Sequence, residues 1–196
     1  KTKESWHKFF NVVIVSGFIT ALYGLTQFFG WAETHQGSRV DASLGNSAYM
    51  AVYMLFNAFI AGYLAISYFA KKHLFYSYAI AAAFFSFIMF QTATRGTILA
   101  WIISLLLTLT IYAVFGRKEK GQSNLSRYLA GGVIAFVALI VVLFYFNRQA
   151  SFIQKNAVLG RLATISISDT TTQGRAYIWP MAIKGVFQSP KTAILG

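Results

Sequence analysis

The stretch FQTATRGTILAW, residues 90–101, sets one arginine, Arg95, near the middle of an apolar run from Leu74 to Phe115 that carries no other charged side chain. One membrane helix needs about 20 apolar residues, and this run is roughly twice that, so the chain is expected to reverse near its centre. Gly96, beside the arginine, offers the backbone freedom for such a turn. Arg95 is therefore expected at the mouth of a tight hairpin between two spans. A charge at membrane depth costs a few kcal/mol unless its side chain reaches the interface or finds a partner. No Asp or Glu occurs between residues 42 and 118, so a partner within this stretch is excluded. Two readings stand: an arginine snorkelling to lipid phosphate, or a guanidinium aimed at a phosphate-bearing ligand.

The composition agrees with a membrane-embedded chain. Of 196 residues, 57% are hydrophobic, 17% aromatic and only 11% charged, and the mean hydropathy is +0.56. The formal charge of +12 does not point to nucleic acid, because the basic residues are scattered between long apolar segments instead of forming a stripe on a polar domain. With no cysteine there is neither a disulfide, a thiolate metal site nor a thiol nucleophile, and no His/Asp/Glu cluster has metal-ligand spacing.

The expected architecture is all-α: a polytopic membrane helix bundle over residues 1–146, followed by the start of a large periplasmic loop, residues 147–196, with an amphipathic helical segment. Five segments are long and apolar enough to span, roughly 9–30, 46–70, 74–94, 97–116 and 128–146. The first is longer than a signal-peptide core and lacks a small-residue cleavage site, so no targeting peptide is read. The opening on Lys1 and the ending KTAILG lead to the expectation that the chain is an internal piece of a larger protein.

Orientation follows from basic residues in short loops. With the N-terminus cytoplasmic, that side holds nine of them (Lys1, Lys3, Lys8, Lys71, Lys72, Arg117, Lys118, Lys120 and Arg127), against two, Arg39 and Arg95, opposite. The tail after the fifth span then emerges outside. Trp6, Trp31, Tyr128 and Tyr145 suit interfacial belts.

In the tail, Ile178, Trp179, Ala182, Ile183, Val186 and Phe187 recur at helical spacing, with N-cap residues available from Asp169 to Thr172. At about 100° per residue, Arg175 falls between the directions of Ile178 and Trp179, near the centre of the apolar stripe, whereas Lys184 points away. Pro180 either kinks this helix or occupies its first turn; a helix beginning at Pro180 removes the stripe argument for Arg175. An interfacial helix contacting head groups is the plainer reading. Two outer arginines with apolar neighbours also suit a bilayer-surface anion such as the pyrophosphate of a polyprenyl carrier, because the guanidinium fork matches phosphate oxygens.

These residues resemble the bacterial O-antigen ligases and O-antigen polymerases, membrane glycosyltransferases that share a ligase-related domain. SRVDASLGNSAYMAVYM is similar to the family's arginine, glycine and asparagine leading into a span, carried by Arg39, Gly45 and Asn46. TATRGTILAW is similar to its Ser/Thr-Arg-Gly element, matched by Thr94, Arg95 and Gly96. GRAYIWPMAIKGVFQSPKTAILG is similar to its later element, matched by Arg175, Trp179, Pro190 and Gly196. The resemblance covers roughly residues 36–196, in order.

The resemblance implies a metal-independent inverting glycosyltransferase of the bacterial inner membrane. It uses neither a nucleotide sugar nor a cofactor. It takes a glycan from undecaprenyl pyrophosphate on the periplasmic face and passes it to a hydroxyl of a glycan, lipid A-core or protein acceptor, as in lipopolysaccharide and other surface polysaccharide biosynthesis. Arg95 and Arg175 would bind the pyrophosphate and stabilise its growing charge, with Arg39, Asn46, Arg161 and Trp179 as secondary candidates. The family's general-base histidine lies in the outer loop beyond the last matched element, past residue 196, so this chain alone is expected to be inactive. His7 and His73 fall on the inner side, and His35, although outside, does not lie in the matching motif.

Two other classes compete. A flippase or exporter of lipid-linked glycan also needs outer cations, but usually carries polar residues along several spans, and these spans have almost none. A structural membrane subunit predicts that both arginines tolerate replacement. A voltage sensor would repeat arginine at every third position, which no span does.

Overall fold

A computed structural model describes residues 2–115, 125–165 and 170–187. Among the described residues the chain is all-helical, with no strand beyond an isolated bridge between Gln36 and Arg39. Eight α-helices follow one another: α1 (Lys3–Phe28), α2 (Ser47–Ser67), α3 (Lys72–Gln91), α4 (Arg95–Phe115), α5 (Leu125–Asn147), α6 (Ser151–Lys155), α7 (Ala157–Ala163) and α8 (Thr170–Val186). Three of them, α1, α2 and α3, are long and apolar enough to cross a membrane. Their outward side chains, including Val12, Ile19, Ile66 and Ile80, are large, apolar and exposed, as in helices whose outer faces meet lipid rather than water.

Caps place the helix starts. Thr2 Oγ1 accepts from Ser5 N at 3.3 Å, so α1 begins at Lys3, ahead of the expected apolar segment. Asn46 Oδ1 accepts from Ala48 N at 2.8 Å and starts α2. Helices α1, α2 and α3 pack as an up-down-up bundle around Met50, Met54, Leu64, Phe85, Ile88 and Met89, all fully buried. Small residues let the helices approach: a Cβ on Gly17 would lie 2.2 Å from Asn57 Oδ1, and one on Gly24 would lie 3.2 Å from Met50 Cε, both on α2.

Hydrogen bonds order the two ends of the bundle. At one end His7 Nδ1 and Tyr68 Oη meet at 2.9 Å, joining the start of α1 to the residue after α2, three residues before Lys71. At the other end the last turn of α1, the first residue of α2, the α3–α4 turn and the start of α4 come together. The lysines Lys3, Lys8, Lys71 and Lys72 thus share one end, and Arg39 and Arg95 share the opposite one.

The hairpin differs from expectation in how it turns. The reversal is made by Thr92, Ala93 and Thr94, with Ala93 at φ +50°, whereas Gly96 lies inside the first turn of α4. Thr92 Oγ1 donates to Met89 O at 2.7 Å and accepts from Thr94 N at 3.3 Å, so side-chain hydrogen bonds hold an alanine in the left-handed region where glycine is the usual occupant.

Helix α8 begins at Thr170, well before Pro180, which sits inside it. Tyr177, Ile178, Trp179, Met181 and Ile183 are exposed along this helix. Of the expected caps and motif positions, Asp169, Pro190 and Gly196 lie outside the described residues, as do Lys1, Arg117, Lys118 and Lys120 from the charge comparison.

Candidate functional site

The arginine-bearing end of the bundle is built on a polar clip. Gln27, in the last turn of α1, and Asp41, in the following loop, are both buried, Asp41 completely. Gln27 Nε2 donates to Asp41 Oδ1 at 2.8 Å and to Glu33 O at 2.7 Å, while Gln27 Oε1 accepts from Asp41 N at 3.1 Å and Ala42 N at 2.7 Å. The second carboxylate oxygen of Asp41 accepts from His35 N at 2.8 Å and lies 3.2 Å from His35 Nδ1. A buried carboxylate is tolerable because its oxygens are satisfied in this way. Burial pushes the Asp41 carboxyl up, but the Gln27 side chain, the His35 backbone N–H and the His35 ring outweigh it and hold the carboxyl below its ordinary value.

Arg39 extends from this loop across to the hairpin. Its Nε donates to Thr92 O and its Nη2 to Thr94 Oγ1, both at 2.9 Å, and Thr94 Oγ1 in turn donates to Ser47 O at 3.3 Å. Gln36 Oε1 accepts from Ser47 N at 3.3 Å and Ser47 Oγ at 3.1 Å, fastening the loop to the first turn of α2. The loop, the hairpin and the start of α2 therefore form one connected unit beneath Arg95, the half-buried first residue of α4. At that position the positive end of the α4 helix dipole adds to its charge.

Helices α6 and α7 close over this end. Ile153 is buried, Val158 and Leu162 pack against the core, and Asn156 caps α7 by accepting from Val158 N and Leu159 N, both at 3.0 Å. Arg161 projects from α7 close enough to Arg39 to repel it. Burial first, and then Arg161, pull the Arg39 guanidinium below its ordinary value, with Asp41 acting in the opposite sense. The guanidinium remains charged at neutral pH all the same.

Three of the arginines singled out in the sequence thus converge: Arg39, Arg95 and Arg161 come from three separate segments to one end of the bundle. Asn46 is present there as a helix cap, its side-chain oxygen used on Ala48 N. Trp179 is exposed on α8. The Arg175 backbone is helical within α8, and its side chain lies outside the described residues.

Sequence reading missed the clip and the Thr92 carbonyl and Thr94 hydroxyl that hold Arg39. The available signals were Gln27 inside an otherwise apolar helix and Asp41 as one of only five acidic residues in the chain. It also missed a cavity of about 720 Å³ between the 30–40 loop, the hairpin and α7, lined by Trp31, Glu33, Ser38, Gln91 and Asn156 among others. Among the described residues, no group of three or more His, Asp or Glu side chains is placed to hold a metal ion. No protein-family model, curated protein or solved structure matches this chain.

Proposed function

We propose that the chain is the donor-binding part of a membrane glycosyltransferase of the O-antigen ligase or polymerase type, moving a glycan from undecaprenyl pyrophosphate to an acceptor hydroxyl at the periplasmic face of a bacterial inner membrane. The observation that carries this reading is the meeting of Arg39 and Arg161 beside Arg95 at one bundle end, where the nearby carboxylate of Asp41 is buried and committed to Gln27 and His35. Gathering cations against their mutual repulsion suits an anion held between them.

In this reading α4 and α5 are the fourth and fifth spans, and the end rich in lysine faces the cytoplasm. The acceptor oxygen attacks the anomeric carbon as its bond to the pyrophosphate oxygen breaks, with inversion. Arg95 and Arg175 stabilise the charge gathering on the departing pyrophosphate, and Arg39 and Arg161 support them. The acceptor proton goes to a general base, a role that the family resemblance does not give to His7, His35 or His73. The acceptor is a glycan, a lipid A-core or a protein.

The test uses the full protein in its host, with Arg95→Ala and Arg175→Ala made separately at matched protein levels. Transfer is expected to fall by about 100-fold or more while lipid-linked donor accumulates on the periplasmic side. Donor that never reaches that side supports the second reading, a flippase or exporter. Unchanged transfer in both variants leaves the arginines as membrane anchors.

A further inference from the structure

We infer that the cavity between the 30–40 loop, the α3–α4 hairpin and α7 is a saccharide-binding subsite with Trp31 as its stacking platform and Glu33 among its hydroxyl acceptors. Its volume of about 720 Å³ lies within the usual range for small-ligand sites, about 300–1,000 Å³. Trp31 lines it and is 78% exposed, although it stacks on Phe29 with centroids 5.2 Å apart and planes at 28°. A tryptophan that only anchored the chain in the interface would have no need of a polar pocket beside it.

The rest of the lining suits a polyhydroxylated ring. The side chains of Glu33, Ser38 and Gln91 and the Asn156 amide nitrogen make no hydrogen bond among the described residues, although each lines the cavity or its rim. Together they offer a carboxylate acceptor, a hydroxyl and two amide donors. A sugar ring presents hydroxyls at its rim and a patch of C–H bonds on its face, which matches polar groups around an aromatic plane.

The charge distribution separates this cavity from the phosphate-binding arginines. Among the described residues no Arg or Lys lines it, and Glu33 contributes a carboxylate, so these residues disfavour an anionic group inside. Arg39 is tied to the hairpin, and Arg161 lines a neighbouring cleft that shares Asn156 and Ala157 with this cavity. A glycan joined to a pyrophosphate would place its phosphates at the arginines and its sugars against Trp31. For the identity of its natural ligand, this inference rests on the glycosyl-transfer reading.

The experiment uses the full protein in detergent and two probes: the oligosaccharide released by mild acid from the host's lipid-linked pool, and inorganic pyrophosphate. Saturation-transfer NMR is expected to show contact with the sugar C–H protons. Trp31→Ala should bind the oligosaccharide at least about tenfold more weakly with pyrophosphate affinity unchanged, and Trp31→Phe should restore most of the loss. Glu33→Gln, a change at an exposed side chain, repeats the test should Trp31→Ala not fold. Absence of sugar contact in the wild type, or unchanged sugar affinity in a folded variant, overturns the inference. Sugar binding that depends on Trp31, together with pyrophosphate binding that ignores Arg95→Ala, keeps the saccharide site and removes the transferase reading.

Discussion

Arg39 Nη2 donates to Thr94 Oγ1 at 2.9 Å, so the loop that follows α1 is fastened to the residue immediately before Arg95. With the 2.9 Å bond from Nε to Thr92 O, one guanidinium spans the whole hairpin turn. Arg39→Lys keeps the charge but cannot reproduce this two-pronged contact. It is expected to lower stability by about 1 kcal/mol, a value discounted for partial exposure, and to loosen the turn. Thermal unfolding in detergent and amide exchange over residues 92–98 check this; exchange unchanged from the wild type removes the bracing role.

The Gln27–Asp41–His35 clip carries a pH signature. The Asp41 carboxyl is held below its ordinary value of 3.8, so its contribution to stability is full above that value and is lost as the pH falls through the depressed folded value. The acid side of a melting-temperature profile, from about pH 5 down through 3.8 and below, should therefore slope downward in the wild type and less so in Asp41→Asn. At neutral pH the variant should also be less stable by about 1–3 kcal/mol, because an asparagine amide cannot accept from both Gln27 and the His35 backbone N–H. Parallel profiles for the two proteins contradict the assignment.

Gly17 and Asn57 mark a close approach of α1 and α2. A Cβ at residue 17 would lie 2.2 Å from Asn57 Oδ1 and 2.5 Å from its Cγ, and Asn57 cannot simply swing away because its Nδ2 donates to Tyr53 O at 2.9 Å. Gly17→Ala is expected to destabilise by about 1–3 kcal/mol. Adding Asn57→Ala should recover part of that loss, a non-additivity readable in a double-mutant cycle of melting temperatures. Strict additivity means the two helices do not meet there.

Residues 1–196 hold no cysteine, so each cysteine introduced there is a new labelling site that reports sidedness. Ser38→Cys, at the arginine end, should react with a membrane-impermeant maleimide from the periplasmic side of intact spheroplasts. Lys72→Cys, at the lysine end, should react only after the membrane is opened. The opposite pattern inverts the proposed orientation, and labelling of both in intact cells contradicts opposite ends altogether.

Much of the helical layout was legible in residues 1–115, because membrane spans carry a one-dimensional signal: enough apolar residues in a row to cover a fixed thickness. The reversal near Arg95 followed from length alone. Its chemistry did not, since Gly96 was the obvious turn residue, and the chain turns instead at Ala93, held by the Thr92 hydroxyl. Arg39 and Arg161 stood in the sequence as scattered basic residues of lesser weight. Folding of α6 and α7 over the bundle end brought them together beside Arg95.

Sequence by itself determined a predominantly helical, apolar chain with Lys71 and Lys72 in one connection and Arg39 and Arg95 in others, since hydrophobic length and charge count need no knowledge of contacts. Tertiary structure alone decided that Asp41 serves Gln27 and His35 rather than an arginine, that Asn46 is spent as a cap, and that Trp31, Glu33 and Asn156 border one cavity. Those outcomes depend on distances between segments far apart in the chain, which local periodicity does not encode.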